Sequence, residues 1–226
     1  MAITVGNKTT NKTTPGSNSF LTFNHTQDTG SDGLIVVAIS MSNANNSTTV
    51  KYNGVEMTQR LKYASSQISQ RWGFWELEGP ATGSNQVRID FTGNVFNPVN
   101  TQVQSFTGAE AGGLVGNNDK ASSPHSRTRT SITEGSLMMV MSVSTNNISG
   151  GNLKVDGVTI PKNTLNNNRF QSVGTSTNPL SAGSVVCIAT GAANWNDLSN
   201  QTLEIKVKSG GGGGGGSSTG NFFLAM

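Results

Sequence analysis

Three segments of this chain recur, in the same order, about one hundred residues further along, which is the mark of a duplicated structural unit. Gly33-Leu-Ile-Val-Val-Ala-Ile-Ser-Met-Ser42 aligns with Gly135-Ser-Leu-Met-Met-Val-Met-Ser-Val-Ser144. Val50-Lys-Tyr-Asn-Gly-Val-Glu-Met57 aligns with Leu153-Lys-Val-Asp-Gly-Val-Thr-Ile160. Val87-Arg-Ile-Asp-Phe-Thr-Gly93 aligns with Leu203-Glu-Ile-Lys-Val-Lys-Ser-Gly210, with one residue more before the last glycine.

The repeated unit reads as strands. Asn53-Gly54 and Asp156-Gly157 each separate two short alternating runs, the pattern of a type I′ hairpin, whose two central residues need positive φ. Leu34 to Met41 is apolar on successive residues and rich in β-branching, which suits a buried strand. Val87, Ile89 and Phe91 alternate with Arg88 and Asp90, so one face of that strand is predicted to be core. Trp72 and Phe74 share one strand face and Trp75 takes the other. At least one face must pack against the opposite sheet, and the second either does so too or offers an aromatic to a sugar or a partner. Gly83-Ser84 and Gly183-Ser184 read as turns that open strands. Only 12% of the residues are charged and 28 are glycine, a composition of short strands and polar loops rather than helices. The fold expected is an all-β antiparallel β-sandwich, jelly-roll or Ig-like, in two internally repeated halves.

Residues 1–19 form a polar arm or loosely packed edge in this reading. Residues 20–110 are the first half, 111–127 a linker or crossover, and 128–226 the second half. The glycine run 210–216 is read as a long hairpin loop feeding a last core strand, Asn221 to Met226. Deleting that strand is expected to unfold the second half.

The chemical inventory is thin. His25 and His125 stand in no metal-ligand spacing and are both read as surface residues. The one Gly-x-Ser-x-Gly string, Gly216-Ser-Ser-Thr-Gly220, stands in the glycine-rich stretch with no strand-then-helix pattern to make an elbow of it, and no phosphate-cradling loop or calcium loop is present. Glu76 and Glu78 lie two apart on one strand face beside Trp75, which invites a glycosidase reading, yet Glu78 precedes Gly79-Pro80 and a solvated strand rim accounts for both. Trp195 is the one remaining tryptophan. Cys187, in an apolar run, has no partner for an intrachain disulfide and reads as a buried hydrophobe. No catalytic, cofactor-binding or metal-binding residues are therefore expected, and no cofactor. The formal charge is only +3, and the nearest approach to a basic cluster is Arg127 with Arg129. Direct nucleic-acid binding is not expected. Neither is a membrane span, since the longest apolar run is far too short. The N-terminus lacks the pattern of a signal peptide.

Trp75-Glu-Leu-Glu-Gly-Pro-Ala-Thr-Gly-Ser-Asn-Gln-Val-Arg-Ile-Asp-Phe91 resembles a β-sandwich module of phage structural proteins and bacterial surface proteins. There a Trp-x-Leu strand runs through a Pro-x-Thr-Gly turn into an alternating strand. Phe20-x-x-Phe23-x-His25, the strand from Leu34 and the Asn53-Gly54 hairpin agree with it. The resemblance covers nearly the whole chain, more loosely in the second half, and marks a fold more than an activity. Without an export signal, a virion protein made in the host cytoplasm is the expectation: a capsid-decorating, head-fibre or tail accessory subunit, not an enzyme. The resemblance implies a homo-oligomer, often a trimer, bound to other virion proteins such as the major capsid protein. A carbohydrate-binding or adhesion module that holds a host glycan is the alternative.

Overall fold

The computed structural model describes residues 2–28, 33–42, 48–65, 70–121, 125–144, 151–166, 170–190 and 198–209. Every pairing among them is antiparallel. The first half makes two sheets. One has five strands in the order β1 (Thr4–Thr13), β9 (Val99–Thr107), β3 (Gly33–Ser42), β7 (Gln70–Glu78) and β6 (Thr58–Ser65). The other has four, in the order β2 (Phe20–Gln27), β8 (Gly83–Phe91), β4 (Thr48–Tyr52) and β5 (Val55–Glu56). The second half repeats this order. β10 (Ala109–Glu110) and β11 (Val115–Ala121) both pair with β19 (Leu198–Val207), followed by β13 (Leu137–Ser144), β17 (Phe170–Thr175) and β16 (Lys162–Asn166). Its four-stranded sheet runs β12 (His125–Ile132), β18 (Gly183–Ala189), β14 (Leu153–Val155), β15 (Val158–Ile160). The chain is thus an all-β protein of two related sandwiches.

The sandwiches are stacked back to back through their larger sheets. The strand period of two decides which core each side chain joins. From β3, Ile35, Val37, Ile39 and Met41 enter the first sandwich's own core with Trp75, Val87 and Ile89. Leu34, Val36 and Ala38 turn the other way. With Trp72, Phe74 and Phe106 they meet Leu137, Met139, Met141, Leu203 and Ile205 of the second half. Met138 and Val140 look back into the second sandwich, onto Val185 and Cys187. Three cores therefore separate four sheets. The hairpins obey their sequence signals. Asn53 (φ 48°) and Gly54 (φ 79°) turn the first, and Asp156 (φ 47°) and Gly157 (φ 77°) the second.

Several expectations are corrected. Residues 4–13 are no free arm: β1 pairs with β9 from Thr4↔Thr107 to Thr13↔Val99, and its polar sequence is that of an edge strand with one wet face. The stretch assigned to the linker contains β11, the matching edge strand against β19. The alignment of Gly33 with Gly135 is one residue out, because it equates Ile35, which faces inward, with Leu137, which faces the other half. Equating Leu34 with Leu137 restores the faces, since a one-residue slip inverts them all. The counterpart of β8 is β18, not β19. Both pair with the second strand and with the hairpin of their half, and Gly83 and Gly183 open them with positive φ (83° and 114°). The counterpart of β9 is then β19, so the repeat assigns no strand to Asn221–Met226, and the ground for expecting that truncation to unfold the second half is gone. Residues 210–226, with the glycine run, lie outside the described residues.

Because the central core is shared, Phe74→Ala is expected to cost about 3–5 kcal/mol and Met139→Ala about 2–5 kcal/mol. Urea unfolding measures both; a loss below about 1 kcal/mol for either contradicts the shared core.

Candidate functional site

The residues singled out from the sequence do not converge on one place. Trp72, Phe74 and Trp75 are all buried and divide between two cores, as their alternation predicted. Neither face of β7 presents an aromatic ring to solvent. Trp195 lies outside the described residues. Cys187 is buried and unpaired, and burial pushes its thiol up to about 12. A thiol held protonated in this way is a poor nucleophile. Arg129 is buried beside Thr202, whose hydroxyl accepts from its Nε, so Arg127 and Arg129 form no basic patch.

Both histidines were expected at the surface and both are buried. His25 lies on β2 with its side chain turned into the sandwich. Its Nδ1 is 2.9 Å from Thr9 Oγ1 on β1, and its Nε2 is 2.7 Å from Ser105 Oγ on β9. The ring links both sheets of the first sandwich. Loss of hydration lowers its pKa to about 4, against the opposing pull of Asp28. His125 begins β12, within the fold.

Glu76 departs furthest from expectation. It was read as a solvated rim residue and is 1% exposed. Glu76 and Glu78 do share a strand face, but that face looks onto the chain crossing between the halves. Glu76 Oε2 accepts from the Gly112 N–H at 3.2 Å and lies 3.4 Å from Arg60 Nε. Arg60 Nη2 in turn donates to the Gly113 carbonyl at 2.8 Å. Glu78 Oε2 takes the Ala111 N–H at 3.4 Å. From the second half, Glu204 accepts from Leu114 N at 3.0 Å and Thr133 N at 2.7 Å. Gly113 lies so close to β19 that a Cβ there would sit 1.9 Å from the Glu204 carbonyl oxygen. Three carboxylates thus satisfy the backbone donors of Ala111, Gly112 and Leu114, in a segment that acts as a clasp between sandwiches. Burial raises the Glu76 carboxyl to about 7, opposed by the Gly112 hydrogen bond and by Arg60.

One polar cleft stands beside these elements. It measures about 420 Å³, lies along the open edge between β4–β5 and β6, and is lined by Thr48, Thr49, Glu56, Thr58 and Gln59, with Trp75 in its wall. Among the described residues no three His, Cys, Asp or Glu side chains gather as metal ligands, and no helix is long and apolar enough to cross a membrane.

Strand β11 left one trace in the sequence. Val5-Gly-Asn7 recurs as Val115-Gly-Asn117, each on the edge strand of its half. Gly6 lies against Asp28 and Ser105, and Gly116 makes room for the Arg129 guanidinium. The likeness is one of composition and not of register, since Gly116 pairs with Thr202 beside Arg129 where Thr9 pairs with Val103 beside His25. No protein-family model matches the chain, and no curated protein matches it either.

The two shifted groups act on stability with opposite signs. Glu76 titrates higher folded than unfolded, so its contribution is full below about pH 4.5 and is lost as pH rises through about 7. His25 titrates lower folded than unfolded, so its contribution is full above about pH 6.5 and is lost as pH falls through about 4. Each slope is at most about 1.4 kcal/mol per pH unit. Urea titrations across pH 4 to 8 should show Glu76→Gln removing the decline between about pH 4.5 and 7. They should show His25→Gln removing the decline below pH 6.5. An unchanged slope in either variant contradicts the corresponding burial.

Proposed function

We propose that the chain is a non-enzymatic structural subunit of a bacteriophage particle, made in the host cytoplasm and carried on the virion as a capsid-decorating, head-fibre or tail accessory protein. The observation that supports it most is the fusion of two sandwiches through one central core, with Trp72, Phe74 and Phe106 against Met139, Met141 and Leu203. Such a stack is stiff in its middle and leaves its loops and edge strands for contacts with neighbours. The resemblance of residues 75–91 to phage and bacterial surface modules agrees with it. So does the employment of Glu76, Glu78 and Glu204 as backbone acceptors rather than as groups aimed at a substrate.

The subunit works as a homo-oligomer, a trimer by the same resemblance, attached to other virion proteins such as the major capsid protein. The strand β1 is the edge offered for that attachment. Among the described residues no strand pairs with it on the far side from β9, and Lys8 and Lys12 along it guard against indiscriminate pairing.

Glycan binding is the second reading, favoured by the polar cleft beside Trp75. Its hydroxyls, the Gln59 amide and the Glu56 carboxylate are groups that recognise sugar hydroxyls.

Mass spectrometry of purified particles tests the first reading: the protein is expected in many copies per particle, and its absence from intact virions contradicts the proposal. A glycan array tests the second, where silence across all sugar classes retires it.

A further inference from the structure

The two sandwiches provide an internal comparison at one place, and they differ there. In the second, the β14–β15 hairpin and the turn after β17 line an open-mouthed cavity of about 170 Å³. Val155, Ile160 and Leu180, all buried, form its apolar part, while Asp156, Val158 and Ser181 stand at its rim. In the first sandwich the residue at the place of Val155 is Tyr52.

The register fixes the correspondence. Tyr52 pairs with Val87, and Val155 pairs with Cys187. Each is the last residue before its type I′ turn. The next residue bonds the same way in both copies: Asn53 N–H donates to the Gln86 carbonyl at 2.9 Å, and Asp156 N–H to the Val186 carbonyl at 2.8 Å. Tyr52 is fully buried. Its hydroxyl lies 3.4 Å from the His25 carbonyl, 3.3 Å from that of Ala81 and 3.4 Å from that of Gly83, and it accepts from Asn85 Nδ2 at 3.3 Å. The first copy therefore carries a phenol ring with its hydroxyl set among turn carbonyls. The second copy carries Val155, which stops short, and Ser181 stands where Ala81 does.

The cavity walls are held from outside the cavity. Ser176 N–H donates to Met138 O, Leu180 N–H to Ser136 O and Gly135 N–H to Leu180 O, each at 2.9 Å. Val186 N–H donates to Asp156 Oδ1 at 2.8 Å. A cavity whose walls are tied in this way does not collapse to fill the missing volume. Apolar cavities of roughly 150 Å³ take up a benzene ring.

We propose that this cavity is a binding site for a phenol ring, which enters with its ring against Val155, Ile160 and Leu180 and its hydroxyl toward the turn at Ser181. The ring belongs either to a free phenolic compound or to a tyrosine side chain of another polypeptide. The site is independent of the virion reading.

The test is a titration of the full chain with p-cresol, the tyrosine side-chain analogue, followed by amide chemical shifts. Saturable shifts confined to residues 153–160 and 176–183 are expected, with toluene at least fivefold weaker for want of the hydroxyl. Val155→Tyr supplies the ring in cis and is expected to weaken p-cresol at least tenfold. Should that variant not fold, Val158→Trp covers the mouth from a position that is 50% exposed and is expected to do the same. N-acetyl-tyrosinamide separates the sources. Its binding alongside p-cresol assigns a side chain, and binding of p-cresol alone assigns a free phenol. No saturable shift in the wild type, or undiminished binding in a folded Val155→Tyr or Val158→Trp variant, overturns the proposal.

Discussion

A strand buried on both faces has no side left for water, so each residue along it must be apolar or have its polar atoms met by the protein. Strands β3 and β13 are under that constraint, and the architecture follows from it. Their alternate side chains feed two cores each, Ile35 and Val37 inward against Leu34 and Val36 outward, and Met138 and Val140 inward against Leu137 and Met139 outward. Antiparallel sheets commonly leave one face in water. Here the wet faces of two sandwiches have been converted into a third core, and the halves become one stack.

The arrangement across that core is nearly that of a symmetric dimer inside one chain. Lys8 of β1 donates to Asn163 of β16, and Asn163 donates to Gln102 of β9 at 2.9 Å. At the opposite border Arg60 of β6 reaches Gly113, just before β11. Since β1 corresponds to β11 and β6 to β16, each border joins one element to its counterpart's partner, as in an isologous contact. Ser40 Oγ meets Gln171 Oε1 at 3.0 Å between the two borders. The copies have diverged where symmetry does not bind them. His25 and Arg129 stand at matching positions, opposite Asn85 and Val185. One ring binds Thr9 and Ser105, and one guanidinium occupies the space above Gly116. Tyr52 and Val155 are a second divergent pair, and Val155 lines a cavity. The crossover must run along this border, and Glu76, Glu78 and Glu204 meet the donors it brings with it.

Much of the strand inventory was legible because local chemistry dictates it. Asn53-Gly54 and Asp156-Gly157 turn where they must, and Val87, Ile89 and Phe91 point where their alternation says. Long-range matching was less legible. β8 and β19 are both alternating strands near a glycine, so pattern alone paired them, whereas Gly83 and Gly183 held the true correspondence. The slip between Gly33 and Gly135 arose because a strand buried on both faces has no polar alternation to reveal its register. Burial of His25 and Glu76 was not legible at all, since it depends on Thr9, Ser105 and Gly112, which come close only in the folded chain. The correspondence of Val155 with Tyr52 emerges only when the two copies are aligned in their true register.

Native-state hydrogen exchange tests the shared core most directly. If the two sandwiches stand or fall together, the slowest amides of β3 and β13 exchange with the same free energy of opening, equal to that of global unfolding. A β13 that opens several kcal/mol below β3, with the first sandwich still protected, would show two independent units and contradict the account.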